Sequence, residues 1–234
     1  MKSWETGYHR AAVFRYFFAV VMVLAAVSCT QAPQVATRVV VQPEIENPSQ
    51  PALQPTQLEL WERLVLENRQ ASIEQKIVAV NEFFNRFDFI EDKYLWNRDD
   101  YWATLPETLD VQAGDCEDLS IAKYFTLCAL NIPEKNMRLT YVVSLETREP
   151  HMVLTLMLDS AREPIVLDSV NNYLFSVSRR SDLVPVFSFN ARGYWLAKKQ
   201  DGWQGERIGS AAELSLWKGV LQRMGREEKE VSGG

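Results

Sequence analysis

From residue 57 onward, apolar positions recur first with a helical period and later in short strand-like runs. Leu60, Trp61, Leu64 and Val65 predict a helix over Gln57 to Asn68. A second helix starts at Ser72, where Ser72 and Gln75 form a capping box. Ile73, Ile77, Val80, Phe83, Phe84 and Phe87 supply its apolar stripe. The stretch from Asp88 to Pro106 mixes aromatic and polar residues and reads as a structured loop. Gly114 and Asp115 precede a long apolar helix from Cys116 to Leu130, which Asn131-Ile132-Pro133 ends. Asp115 suits its N-cap, and Asp118 suits its first turn.

Strand patterns follow at Arg138 to Leu145, His151 to Leu158 and Pro164 to Val170, with Asp159 to Glu163 as the turn between the last two. Pro185 to Asn190 and Tyr194 to Lys199 are shorter strands, Gly202-Trp203 marks a turn, and Ala211 to Met224 forms a final helix. Helices first and antiparallel strands after them predict an α+β domain. The chain contains no internal repeat.

The N-terminal region follows none of these patterns. Arg10 and Arg15 precede an apolar run from Tyr16 to Val27. That run falls short of the roughly 20 apolar residues a spanning helix needs but matches a signal-peptide core behind a positive start. Ala26-Val27-Ser28-Cys29 resembles a lipoprotein cleavage box, although a leucine three residues before the cysteine is more usual than Ala26. Lipidation at Cys29, a plain signal peptide and an uncleaved anchor remain open, and all three imply export, to the periplasm in a bacterium. Thr30 to Thr56 is rich in Pro, Gln and Val without a period, and reads as a tether. The expected organisation is an export or lipoprotein signal at 1–29, a flexible linker at 30–56, one folded domain at 57–225 and a disordered charged tail at 226–234.

Charge narrows the function. The formal charge is -6, and loss of Lys2, Glu5, Arg10 and Arg15 with the signal moves it to -8. An acidic domain without a basic stripe is a poor match for nucleic acid. Of three cysteines, Cys116 and Cys128 lie on one helix, twelve residues apart, which corresponds to about 18 Å of rise. They are too far apart for a disulfide. An exported chain with free thiols calls for a functional explanation.

The two histidines are His9, in the export signal, and His151. A multi-histidine metal site is thereby excluded, and any imidazole chemistry in the mature chain falls to His151. Cys116 follows Gly-Asp at a helix N-terminus, where the dipole and free N–H groups favour the thiolate and can later hold an oxyanion. A nucleophilic cysteine needs a base, and the base needs an acceptor to fix its tautomer. Asp168, between Leu167 and Ser169 in a mostly apolar strand, is a carboxylate that burial would penalise unless paired. A hairpin of the strands around 155 and 166 puts His151 and Asp168 on neighbouring chains. Taken singly, Cys116 is compatible with a small core residue, His151 with a polar strand entrance and Asp168 with a turn. Together they favour a Cys-His-Asp triad. Cys128, inside an apolar run, fits the core reading.

The string from Gly114 to Phe125, GDCEDLSIAKYF, resembles the nucleophile helix of the bacterial transglutaminase-like cysteine proteinases, and within them the LapG-type periplasmic branch. The resemblance continues through His151-Met152-Val153-Leu154, Val166 to Val170, Pro185 to Asn190 and Gly193-Tyr194-Trp195, and spans roughly Leu60 to Lys199. It implies a papain-like, transglutaminase-type fold with the nucleophile helix packed on an antiparallel sheet, and a triad of Cys116, His151 and Asp168. It also implies calcium dependence, with Asp115 and Glu117 as ligands and Asp118 as a further candidate. Residue types alone favour capping and dipole compensation for these acids, and Asp115 cannot freely be both N-cap and ligand; carboxylate oxygens nonetheless suit a hard cation.

Similar proteins cleave the N-terminal region of a large RTX-type surface adhesin at a paired-alanine site, which releases the adhesin and disperses biofilm. They are held by the periplasmic domain of an inner-membrane cyclic di-GMP receptor. Those are the substrate and partner that the resemblance implies. Trp102 reads as a core aromatic, with a place in the cleft or oxyanion hole as the alternative. Acyl transfer to amines, in the manner of a transglutaminase, uses the same triad and stays open, as does a non-catalytic binding module.

Overall fold

The computed structural model describes residues 54–158, 163–210 and 213–231, with side chains described as far as 225. The expected export signal, Cys29, all but the end of the linker, the turn residues 159–162 and the last three residues of the expected tail lie outside the described residues. Among the described residues no helix is long and apolar enough to cross a membrane.

Helix α1 (Gln57–Asn68) starts at a capping box of Thr56 and Glu59, and α2 (Ile73–Phe84) at the expected box of Ser72 and Gln75. The stretch expected as a loop, 88–106, contains helix α3 (Asp92–Leu95), and a further helix, α4 (Leu105–Val111), starts at its end. The signal for α4 is present in the sequence. Thr104 and Glu107 make a third capping box around Pro106 in the first turn. Gln112, with φ 56°, turns the chain into the left-handed region and ends α4. Two-residue strands β1 (Asp88–Phe89) and β2 (Ala113–Gly114) pair in parallel and set the entry to the next helix.

That helix, α5 (Cys116–Ala129), is the centre of the domain. Leu119, Ile121, Ala122, Tyr124 and Leu127 are all fully or almost fully buried. It is covered on one side by α2 and α4 and packs on the other against a sheet. Burial all round explains why the helix lacks a polar face.

The sheet has seven antiparallel strands in the order β6 (Phe175–Ser176), β5 (Ile165–Leu167), β4 (Pro150–Leu156), β3 (Met137–Ser144), β7 (Leu183–Asn190), β8 (Gly193–Leu196), β9 (Glu206–Gly209). Alternation divides its strands between two cores. Met152, Leu154, Leu139 and Phe189 join the main core with α5. Val142, Val153, Val166 and Leu183 form a smaller cluster on the other face with Val177 and Trp203. Trp203 reaches that cluster from the expected turn, where Gly202 and Trp203 both have positive φ.

Several strand boundaries differ from expectation. β5 ends at Leu167, so Asp168 lies just past the strand end, not in mid-strand. β8 stops at Leu196, and the edge strands β6 and β9 are additional. They are short edge elements whose hydrophobic pattern is too brief to register. The last helix, α6 (Ser215–Val231), runs past Met224 into the stretch expected to be a disordered tail. Its Trp217 is fully buried against Tyr124, Phe125 and Phe189. Burial of one such ring contributes about 1.5–3 kcal/mol.

Candidate active site

Cys116 is the first residue of α5, and Asp115 is its N-cap, as expected. Asp115 Oδ1 accepts the amides of Glu117 at 3.1 Å and Asp118 at 3.3 Å. Gly114 is required immediately before them. A Cβ at that position would stand 2.6 Å from the Asp118 Cβ.

The thiol environment departs from expectation. Cys116 Sγ donates to Glu117 Oε2 at 2.7 Å. Burial pushes the thiol pKa up, and the charges of Glu117 and Asp115 push it further; a backbone hydrogen bond from Met152 opposes them. The helix dipole alone favours a thiolate, but here the surrounding carboxylates and the low dielectric outweigh it. Asp115 also occupies two of the first-turn amides that were expected to be free for an oxyanion.

Met152 links the nucleophile helix to the histidine. It is next to His151 on β4, its backbone meets the thiol, and its carbonyl accepts from Ser120 Oγ of α5 at 3.1 Å. His151 stands at the start of β4, opposite Val142 of β3. Its Nε2 lies 2.8 Å from Asp168 Oδ1. The Asp168 pKa is held down at about 2. Burial would raise it, but the His151 hydrogen bond and charge, the Val170 amide and Arg180 together outweigh burial. An ionised carboxylate has no proton to give, so Nε2 carries the proton. Nδ1 is then left as the basic nitrogen.

Asp168 is fully buried and gripped at both ends. Its carbonyl accepts from Asn85 Nδ2 at 2.9 Å and from Lys123 Nζ at 3.0 Å. Lys123 lies on α5, and its ammonium also donates to Asn85 Oδ1 at 2.6 Å. Burial pushes the Lys123 pKa down to about 7, with Asp168 opposing. The contact ties the nucleophile helix directly to the segment carrying the acid. Neither Lys123 nor Asn85 stands out in the sequence; a lysine in an apolar helix is a weak local signal.

The acidic residues beside Cys116 form two overlapping groups. Asp115, Cys116 and Glu117 have ligand atoms within 4.8 Å of one another, and so do Asp92, Asp115 and Asp118. Asp115 is common to both, so of the expected ligands it meets Glu117 in one group and Asp118 in the other, where Asp92 is added from α3. Asp92 Oδ2 accepts from the Tyr101 amide, while its buried Oδ1 has no hydrogen-bond partner. Asp118 Oδ1 accepts from the Ala103 amide at 2.6 Å, and Oδ2 from Trp96 Nε1 at 3.1 Å. Asp118 thereby also holds the 96–103 segment against α5.

Burial, then repulsion from neighbouring carboxylates, raises the Asp115 pKa to about 9. Burial chiefly raises that of Asp118 to about 7. Crowded, partly buried carboxylates with an unpaired oxygen fit a hard divalent cation. Asp92 was not legible because no spacing rule connects it to residue 115.

Trp102 is buried and stacked on Phe189, with centroids 5.4 Å apart and an interplanar angle of 12°. This is the core role expected for it. Cys116 and Cys128 are both free thiols.

Comparison with known proteins accords with this arrangement. The family model described as bacterial transglutaminase-like cysteine proteinase BTLCP matches residues 60–183. Among solved structures, Legionella pneumophila LapG is 36% identical with a TM-score of 0.63, covering 72% of this chain and 87% of that one. The calcium-bound form of the same protein gives 37% identity and a TM-score of 0.63, covering 72% and 89%. Its EGTA-treated form gives 36% and 0.64, covering 72% and 88%. A search of curated proteins finds no match. With the nucleophile-helix sequence, the mixed helix-and-sheet fold and the family match all in agreement, the chain belongs to the bacterial transglutaminase-like cysteine proteinases and is a cysteine protease.

Proposed function

We propose that this protease is a calcium-dependent periplasmic endopeptidase that cleaves the N-terminal region of a large RTX-type surface adhesin. Cleavage releases the adhesin and controls biofilm attachment. The periplasmic domain of a cyclic di-GMP receptor in the inner membrane holds the protease back. The observation that carries the catalytic part is the 2.8 Å contact of a buried, ionised Asp168 with Nε2 of His151, whose neighbour on β4, Met152, meets the thiol of Cys116 through its backbone.

In this reading His151 Nδ1 takes the Cys116 proton. The sulfur attacks the scissile carbonyl, and the imidazolium returns its proton to the departing amine as the peptide bond breaks. Water, deprotonated by His151, then cleaves the thioester and restores the thiol. Asp168 keeps Nε2 protonated and balances the imidazolium charge. Asp115, Glu117 and Asp92 would hold the cation, with Asp118 organising them; bound there, it offsets negative charge that otherwise favours the thiol over the thiolate. The carboxylate oxygens suit a hard cation, and the calcium-bound form of the Legionella relative supports calcium as that cation.

The substrate, compartment and receptor rest on the resemblance and on the export-like N-terminus. The test is cleavage of an N-terminal fragment of a candidate adhesin, followed with calcium, with a chelator and with Cys116→Ala. Calcium-dependent cleavage lost in the variant supports the reading. A folded, calcium-loaded wild type that leaves the fragment intact but incorporates a labelled amine would replace hydrolysis with acyl transfer.

A further inference from the structure

Arg180 follows the 3₁₀ turn Val177–Arg179 and is almost completely buried. Its Nη2 lies 2.7 Å from Asp168 Oδ2. The guanidinium is itself oriented by Asp182. Nε donates to Oδ1 at 3.0 Å, and Nη2 to Oδ2 at 2.8 Å. The contact with Asp168 is close, but Oδ2 receives no well-aligned hydrogen bond, so charge holds it more than direction does. Oδ1 is taken by His151 Nε2 and by the Val170 amide at 3.1 Å.

A carboxylate can present either oxygen to a histidine. Here Oδ2 is committed to a cation on the far side, so one orientation remains and it points Oδ1 at the imidazole. When His151 takes up a proton, the Asp168 carboxylate stands between two cations, His151 and Arg180, and Asp182 shares the Arg180 charge. Burying an arginine and an aspartate for stability alone would be a poor bargain, since an apolar pair of similar volume is often as stable or more so. An ionised acid aimed at His151 cannot be replaced in that way.

We propose that Arg180, anchored by Asp182, is a positioning residue for the protease. It fixes the Asp168 carboxylate so that His151 is held in the Nε2-protonated tautomer. The inference rests on the Cys116-His151-Asp168 reading.

In the full chain carrying His9→Gln, His151 is the single histidine, so nitrogen-15 histidine labelling reads its ring directly. The expected wild-type signal is an Nε2 proton shifted downfield by its carboxylate acceptor. In Arg180→Met that proton moves upfield or is lost to exchange. The kcat for peptide cleavage falls about ten- to a hundredfold, the range seen when groups orienting a functional histidine are removed, while KM stays within about twofold. Arg180→Lys, which keeps the charge without the fork, restores part of both.

Asp182→Asn, at the half-exposed end, shifts the same proton in the same direction by less. It decides the matter if Arg180→Met does not fold. An unchanged His151 Nε2 signal in a folded Arg180→Met, or in Asp182→Asn, overturns the inference. Full cleavage by His151→Ala would instead remove the triad reading, while the ring signals would still report whether Arg180 positions Asp168.

Discussion

His151 Nε2 and Asp168 Oδ1 are 2.8 Å apart, and they meet because β4 and β5 pair with Leu154 opposite Leu167. Asp168 is the first residue past that pairing, where the chain leaves the sheet and its side chain can turn to the neighbouring strand. Asp168→Asn is expected to lower the cleavage rate on the order of a thousandfold or more, because the amide no longer enforces one tautomer. Arg180, left with Asp182 as its one carboxylate partner, loses a buried counter-charge, which should also lower stability by about 1–3 kcal/mol. A cleavage time course and a thermal melt of the same sample check both.

The same residue sets an acid limit. Its folded pKa of about 2 lies below the unfolded value of about 3.9. The unfolded chain binds this proton first, so the stability Asp168 contributes is complete above about pH 4 and is lost as pH falls toward about 2. Denaturant midpoints measured across that window should fall less steeply in Asp168→Asn than in the wild type.

Glu117 holds the Cys116 thiol at 2.7 Å and helps keep it protonated. Glu117→Gln removes the charge while leaving a similar shape. In chelator, the variant thiol should react faster with iodoacetamide at neutral pH, by about threefold for each half unit that its pKa falls. The acceleration that calcium brings in the wild type should be largely lost. A slower reaction in Glu117→Gln would show that the carboxylate does not restrain the thiol.

The acidic cluster makes an opposite pH prediction. Asp115 at about 9 and Asp118 at about 7 both exceed their unfolded values. The folded chain therefore holds protons that the unfolded chain has released, and in chelator stability falls as pH rises from about 4 to about 9. Calcium should flatten this slope, and Asp115→Asn should flatten it without calcium. Melting temperatures against pH, with calcium and with chelator, read the difference.

Cys116→Ala should lower cleavage by more than about a thousandfold. The residue is small and at a helix start, so the melt should shift by about 1 kcal/mol or less. Cleavage retained by this variant would move the nucleophile elsewhere, and the half-buried Cys128 would be the next thiol to label.

The sequence by itself determined the helices that carry their own start signals and the strand order of the main sheet's local hairpin, and it singled out the three residues of the proposed triad. These depend on short-range rules: the capping box at Ser72, the N-cap at Asp115, alternation along β4, and the presence of one histidine besides His9. Even α4 was written in the chain, at Thr104, Pro106 and Glu107, although its aromatic surroundings masked it.

Tertiary structure alone decided who stands beside whom. Asp92 joins Asp115 and Asp118 only because α3 folds back over the start of α5, and Arg180 reaches Asp168 only across the turn after β6. It also reversed the expectation for the thiol. A helix N-terminus favours a thiolate through its dipole, a local effect, whereas the pKa of Cys116 follows the sum of burial and every nearby carboxylate. Charges and burial act through space, so no reading of neighbours along the chain can add them up.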